Sequence, residues 1–186
     1  MRQGAYPGSF NPPTPAHLAI AAAVVADRSL ERIDFIVSRV ALAKEHVDRP
    51  LFEHRVAVLR DSVASRPWAD VVITDHQLLA DIADGYDVLV MGADKWEQVN
   101  DPTFYGGSVA ARDVAIARLP ELAVVGRPPH VTPEAHRLDV VDATGISSTR
   151  ARQGATDHMT PAAGAFDRLT GAWSDPERYE RWLEAN

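Results

Sequence analysis

Gly8-Ser9-Phe10-Asn11-Pro12-Pro13-Thr14-Pro15-Ala16-His17-Leu18 is the stretch around which the chain is organised. It follows the short apolar run Ala5-Tyr6-Pro7 and precedes the strongly helical Leu18-Ala19-Ile20-Ala21-Ala22-Ala23-Val24-Val25, so it reads as a strand-to-helix turn. Thr14 is a suitable N-cap. Pro15 then takes the first helical position, where its missing N–H is not needed and its fixed φ suits the helix. His17 falls in the first turn, three residues from Thr14, and the two side chains share one side of a helix start whose free N–H groups and dipole favour an anion. A histidine there prefers to be neutral unless an anion is bound beside it. The segment reads as a phosphate seat, and its alternative is an ordinary proline-rich surface loop with His17 on a helix edge.

Far downstream, Gly145-Ile146-Ser147-Ser148-Thr149-Arg150-Ala151-Arg152 has the same character. Three hydroxyl residues after a glycine make a natural helix start, with Ser147 or Ser148 as the cap. Arg150 and Arg152 fall in the first turn or two, where the dipole disfavours positive charge unless an anion lies between them and the helix end. A capped surface helix with two exposed arginines is the plainer alternative.

Between these segments the chain alternates strand and helix. The first helix runs from the turn to Asp27 or Arg28, apolar all round as for burial against a sheet. Ile33–Val37 is a second strand, and Phe52–Val63, apolar at 52, 56, 59 and 63, is an amphipathic helix. Residues 38–51 are too polar for a buried element, and a loop of that length in a compact domain tends to be functional. Val71–Thr74 is a third strand and Gln77–Ala83 a short helix. Asp75 and His76 are adjacent, but no third residue stands at ligand spacing, so no metal site is read there.

Asp87–Met91 is an apolar fourth strand ending in Gly92-Ala93-Asp94-Lys95-Trp96. A glycine at the C-terminal end of a buried parallel strand lets a ligand approach, and open α/β sheets bind their ligands at such ends. Asp94 would accept hydrogen bonds from a ribose and Trp96 would stack on a ring; the alternative is a polar turn with Trp96 packed at the domain edge. Asn100–Gly107 is an aromatic-bearing loop, Val109–Leu119 a helix, Leu122–Val125 a fifth strand and Leu138–Val141 a last one. Residues 154–164 form a connector. The tail from Asp175, with Tyr179, Trp182 and Leu183, is a short amphipathic helix at the surface or at a contact between subunits.

The composition narrows the class. The chain has 186 residues, 46% of them hydrophobic, which fits a single domain with a full-sized core. A net charge of −7 argues against a broad nucleic-acid or acidic-membrane surface, so basic residues should be few and local. There is no cysteine, which excludes disulfides, cysteine nucleophiles and cysteine zinc sites. No apolar run approaches a membrane span and no leader precedes the first strand, so a soluble cytoplasmic protein is expected.

Together the two capped segments resemble the nucleotidylyltransferase superfamily, whose members carry an early Gly-x-Phe-x-Pro-x-(His/Thr)-x-Gly-His motif and a late Ile-Ser-Ser-Thr-x-x-Arg motif. The resemblance spans residues 1–155, with 156–186 as a helical extension on the same domain. Thr14 stands where many members have the first histidine, as it does in the phosphopantetheine adenylyltransferases. Ala16 replaces the usual glycine and adds a methyl group where the backbone nears phosphate. Gly92-x-Asp94 followed by Trp96, and Gly126-Arg127-Pro128 after the fifth strand, are similar to segments of nicotinate and nicotinamide mononucleotide adenylyltransferases.

The resemblance implies a single-domain α/β, Rossmann-like parallel sheet with helices on both faces, which the continuously apolar strands also favour. It implies transfer of AMP from ATP, with magnesium, to a phosphate monoester such as nicotinic acid or nicotinamide mononucleotide, releasing pyrophosphate. His17, Thr14 and Arg152 would be catalytic. Gly8, Ser9, Phe10, Gly92, Asp94, Ile146, Ser147, Ser148 and Thr149 would join His17 and Arg152 in holding the nucleotide. Lys44, Arg55, Trp96 and Arg127 would take the acceptor. Three rivals stay open: a phosphopantetheine adenylyltransferase, from which the expected Arg-Gly-Leu-Arg is missing; a cytidylyltransferase; and a non-catalytic nucleotide-binding module, which the Ala16 change would permit.

Overall fold

A computed structural model of the protein describes residues 1–40, 49–139 and 145–186. Six strands form one parallel sheet: β1 (Gln3–Pro7), β2 (Arg32–Ser38), β3 (Ala69–Thr74), β4 (Val88–Gly92), β5 (Glu121–Val125) and β6 (Arg137–Leu138). Their order is β3-β2-β1-β4-β5-β6. The direction of winding reverses between β1 and β4, and in such sheets the ligand crevice opens beyond the carboxyl ends of the strands at that reversal. The turn at Gly8–Thr14 and the strand end at Gly92 therefore meet at one place. The protein has the expected Rossmann-like α/β fold.

The helices are α1 (Pro15–Asp27), α2 (Phe52–Val63), α3 (Leu79–Ile82), α4 (Ala93–Asn100), α5 (Val109–Ala117), α6 (Ser148–Arg152), α7 (Pro161–Thr170) and α8 (Pro176–Ala185). Strand residues alternate between two cores. Ile33, Phe35, Val37, Val88 and Val90 pack with Leu18, Val24, Val56 and Leu59 of α1 and α2. Ile36, Leu89, Met91, Leu122 and Val124 pack with Ile82 near α3 and Ala93 of α4 on the other face. Helices thus cover both faces, which is why the strands read as unbroken apolar runs. In this interior the buried Asp34 carboxylate accepts from Arg32 Nε at 2.6 Å and Tyr86 Oη at 2.8 Å. Among the described residues, no helix is long and apolar enough to cross a membrane.

A third core joins the C-terminal helices to α2, with Val58, Met159, Ala163, Trp173 and Tyr179 at its centre. Here the expected connector at 154–164 needs correction, because α7 begins at Pro161 with Thr160 as its cap. Its packed face carries Ala163, Gly164, Asp167 and Thr170, small or polar residues that leave no apolar period to read. The segment after β4 is also helical rather than a turn: Gly92 is the N-cap of α4, with Val99 on its buried side. Residues 102–105 of the expected aromatic loop form a 3₁₀ turn capped by the Asp101 side chain. The helix expected at Gln77–Ala83 is limited to Leu79–Ile82, and α5 stops at Ala117. β6 pairs at Arg137–Leu138; Val140 and Val141 lie outside the described residues, as does most of the 38–51 loop.

Candidate active site

The turn after β1 is held in an unusual shape by its own aromatic residue. Phe10 has φ +45°, a left-handed conformation that costs a non-glycine residue free energy and persists only where packing enforces it. Its buried ring lies 5.4 Å from Tyr6, 5.3 Å from Phe35 and 5.1 Å from His17, centre to centre. A Cβ on Gly8 would come within 2.9 Å of that ring. Gly8 and Phe10 therefore sit beneath the turn, and Ser9 and Asn11 line the cleft above it. Arg55, expected at the acceptor, is instead buried on α2, with Nη1 3.3 Å from the Ser9 carbonyl and its guanidinium over the Phe52 ring.

Thr14 caps α1 as its sequence predicts, and His17 completes the cap. The Thr14 hydroxyl accepts from the His17 N–H at 3.3 Å, and His17 Nδ1 accepts from the Thr14 N–H at 3.0 Å. The pair is a capping box with histidine in the place that glutamate or glutamine usually fills. Because Nδ1 is an acceptor, the neutral ring carries its proton on Nε2. Burial, assisted by the positive charge of Arg127, lowers the pKa of His17 to about 4. At neutral pH His17 is an uncharged N–H donor on the cleft wall. Burial also pushes the Tyr6 hydroxyl well above the usual phenol range, so it too stays protonated at the cleft.

The second capped segment closes on the same turn. Ser147 caps α6, its hydroxyl accepting from the Arg150 N–H at 3.2 Å, and its own N–H reaches His158 Nδ1 at 3.3 Å. Ser148 Oγ donates to the Pro12 carbonyl at 2.8 Å, while Arg152 donates to the Asn11 carbonyl and, at 3.5 Å, to Thr149 Oγ1. Arg150 turns back to the Gly145 carbonyl at 3.2 Å. Two segments far apart in sequence are bonded into one wall of a cleft of about 1200 Å³.

At the end of β4, Gly92 lines this cleft and Asp94 lies behind it. An added Cβ on Gly92 would collide with Asp94 Oδ1, so glycine is required for this packing. Oδ1 is buried and, among the described residues, accepts no hydrogen bond; Oδ2 lies 3.4 Å from Arg127 Nη1. Arg127 lines the cleft and is 62% exposed. Trp96 is not in the cleft. Its ring meets His136 at 5.8 Å and lines a neighbouring pocket of about 310 Å³ with Asn100, Val131 and Pro133. Lys44 lies outside the described residues.

Of the sequence-derived candidates, Ser9, Thr14, His17, Gly92, Arg127, Ile146, Ser147, Ser148, Thr149 and Arg152 line the one cleft. Tyr6, Asn11, Thr132 and Arg137 line it too and were not foreseen. Tyr6 precedes the capped turn and Asn11 lies within it, so their position is the available signal; Arg137 and Thr132 sit in a stretch with no motif. Among the described residues no group of three or more His, Asp or Glu is arranged to hold a metal ion.

Compared with known proteins, residues 5–154 match the model of a family described as cytidylyltransferase-like. The match takes in both capped segments and ends before α7. No curated protein matches the chain.

Proposed function

The chain belongs to the cytidylyltransferase-like family of nucleotidyltransferases, and from that membership, together with the resemblance of Gly92-x-Asp94 and Gly126-Arg127-Pro128 to segments of pyridine mononucleotide adenylyltransferases, we propose that it moves AMP from ATP to the phosphate of a mononucleotide, with nicotinic acid or nicotinamide mononucleotide as acceptor. The observation that carries this reading is the bonding of the Ser148–Arg152 segment to the turn that presents His17. It supports a preformed seat for one triphosphate, with hydroxyls and guanidinium on one side and a neutral N–H donor on the other. The cleft volume is larger than a usual single-ligand site, which supports two substrates bound together.

In this reading an oxygen of the acceptor phosphate attacks the α-phosphorus in line. The new O–P bond forms as the α-phosphorus separates from the oxygen bridging to the β-phosphorus, and pyrophosphate leaves. The acceptor phosphate is already ionised, so no general base is needed, and catalysis consists of positioning and charge stabilisation. His17 Nε2–H donates to a non-bridging α-oxygen, and Thr14 fixes the ring through Nδ1. Ser147, Ser148, Thr149 and Arg152 hold the β- and γ-phosphates, Arg127 takes the acceptor phosphate, and Asp94 accepts from a ribose once Arg127 shifts toward its ligand. Trp96, in its separate pocket, would take part only if the acceptor ring extends past the 127–133 segment. Arg55 acts through Ser9. Among the described residues no group of three or more acidic or histidine side chains is arranged to hold magnesium; in this reading the ion would come with the triphosphate and would neutralise its charge.

The test is pyrophosphate release with ATP or CTP as donor and a panel of acceptors: the two mononucleotides, 4′-phosphopantetheine and sugar phosphates. Release with ATP and a pyridine mononucleotide, lost in His17→Ala, is expected. Release only with CTP, or only with another acceptor, would reassign the substrates, and nucleotide binding without release from any pair would refute catalysis.

A further inference from the structure

The nucleotide turn is bonded by more of the chain than the family match covers. Asn11, Pro12 and Pro13 are consecutive, and the two prolines have no N–H to donate. Every one of the three offers an oxygen that a distant donor takes. Arg152 binds the Asn11 carbonyl and Ser148 the Pro12 carbonyl, both from within residues 5–154. The other two donors lie beyond it: the Thr160 N–H reaches the Pro13 carbonyl at 3.1 Å, and Trp173 Nε1–H reaches the Asn11 side-chain oxygen at 2.6 Å.

Trp173 is itself fixed with care. The buried Asp167 carboxylate accepts from the Trp173 N–H at 2.7 Å, from the Ser174 N–H at 3.0 Å and from Ser174 Oγ at 2.7 Å. Gly171, at φ +78°, ends α7, and a Cβ there would come within 2.7 Å of the Asp175 carbonyl. The tight turn between α7 and α8 thus aims one indole N–H at one amide. An indole nitrogen only donates, so it selects the oxygen end of Asn11 and holds that amide against rotation. Trp182, stacked on Tyr179 at the partly exposed edge of the same core, can leave its N–H to solvent, whereas the buried Trp173 must find a partner and finds it in the turn.

We propose that Trp173 is a positioning residue of the nucleotide site, acting through Asn11, and that the α7–α8 hairpin is a strap that keeps the turn in its binding shape. The inference rests on the nucleotidyltransferase reading for its kinetic consequence but not for its structural one. Without the indole N–H the amide oxygen is left buried and unpaired, and the carbonyl that receives Arg152 belongs to the same residue.

The test compares Trp173→Phe with Trp182→Phe, the same truncation at a buried and at a partly exposed position of one cluster. Hydrogen exchange should rise in peptides covering residues 9–18 for Trp173→Phe and stay at the wild-type rate for Trp182→Phe. The affinity for ATP with magnesium should fall about tenfold in the first and be unchanged in the second, as expected for losing one buried hydrogen bond at a binding element. Asn11→Ala, a milder change at the other end of the bond, should reproduce the loss, and adding Trp173→Phe to it should cost no further affinity. Equal exchange at 9–18 in both tryptophan variants, or full additivity with Asn11→Ala, would overturn the proposal. A wild-type protein that releases no pyrophosphate would sink the catalytic reading alone, since exchange and affinity still report on the strap.

Discussion

Replacing His17 with glutamine tests the central electrostatic claim about the site. Glutamine at the third helical position can complete the same capping box, accepting from the Thr14 N–H, so the fold is retained and only the titration is removed. In the folded protein the pKa of His17 lies at about 4, against 6.5 for the free side chain. Between those values the unfolded chain holds the proton and the folded one does not, so stability present above pH 6.5 is lost as the pH falls toward 4. At pH 5 this loss is about 2 kcal/mol, and it levels off near 3 kcal/mol once both states are protonated. With a urea dependence of about 2 kcal/mol per molar, the wild-type midpoint should drop about 1 M more than that of His17→Gln between pH 7.5 and pH 5. Other groups titrate in that range in both proteins and cancel in the difference. Saturating ATP should shrink the gap, because a polyphosphate beside the ring favours its protonated form. Parallel midpoints at the two pH values would refute the buried neutral donor and, with it, the role given to Nε2–H.

Arg152→Ala should lower kcat/KM for ATP by about 10- to 100-fold, the worth of charged hydrogen bonds, and Arg152→Lys should not rescue it, since an ammonium cannot span the Asn11 carbonyl and Thr149 Oγ1 together; steady-state kinetics decide it. Gly92→Ala forces the end of the Asp94 side chain away from its present place beside Arg127 and should raise KM for the acceptor in steady-state kinetics, with little change in the urea midpoint because only a side-chain end has to move. Tyr179→Phe removes the oxygen that meets the Leu51 N–H at 3.0 Å and His54 Nδ1 at 2.6 Å, which should cost about 1–3 kcal/mol of stability in urea unfolding and leave kcat unchanged.

Sequence reading was strongest where a local rule and a long-range one agreed. Thr14 followed by Pro15 marks where α1 starts, and the apolar spacing at 52, 56, 59 and 63 marks out α2. The sheet follows from short apolar runs alternating with helices, the pattern of parallel strands covered on both faces. What stayed hidden depended on partners that no local pattern names. Arg55 looked like a basic residue near a helix start, and only the fold shows it turned inward under Ser9. Trp96 followed a glycine-ended strand, but Gly92 begins a helix, which carries the ring to the far side of the 127–133 segment. Asn11 was in plain view inside the motif, yet its bond to Trp173 spans most of the chain and leaves no periodic trace.

The distribution of charge supports small anionic ligands at the cleft rather than a broad acidic partner. At the amino ends of the strands the arginines are matched with carboxylates: Arg28 and Arg2 with Glu121, and Arg32 with Asp34 and Asp70. At the carboxyl ends the described cleft lining carries Arg127, Arg137, Arg150 and Arg152 against one carboxylate, Asp139. Arg150 and Arg152 are held by carbonyls and a hydroxyl, which orient a guanidinium without cancelling its charge. Arg127 alone of the four has a carboxylate partner among the described residues, and that bond is long and solvent-facing, worth little and easily exchanged for phosphate. Among the described residues, uncompensated positive charge is thereby concentrated at this cleft in a chain of net charge −7, and a concave site focuses such a field. Under the proposed function, the same surface that repels polyanions in general would draw a free triphosphate to this cleft, which is lined by capped helix starts and by a histidine held neutral at pH 7.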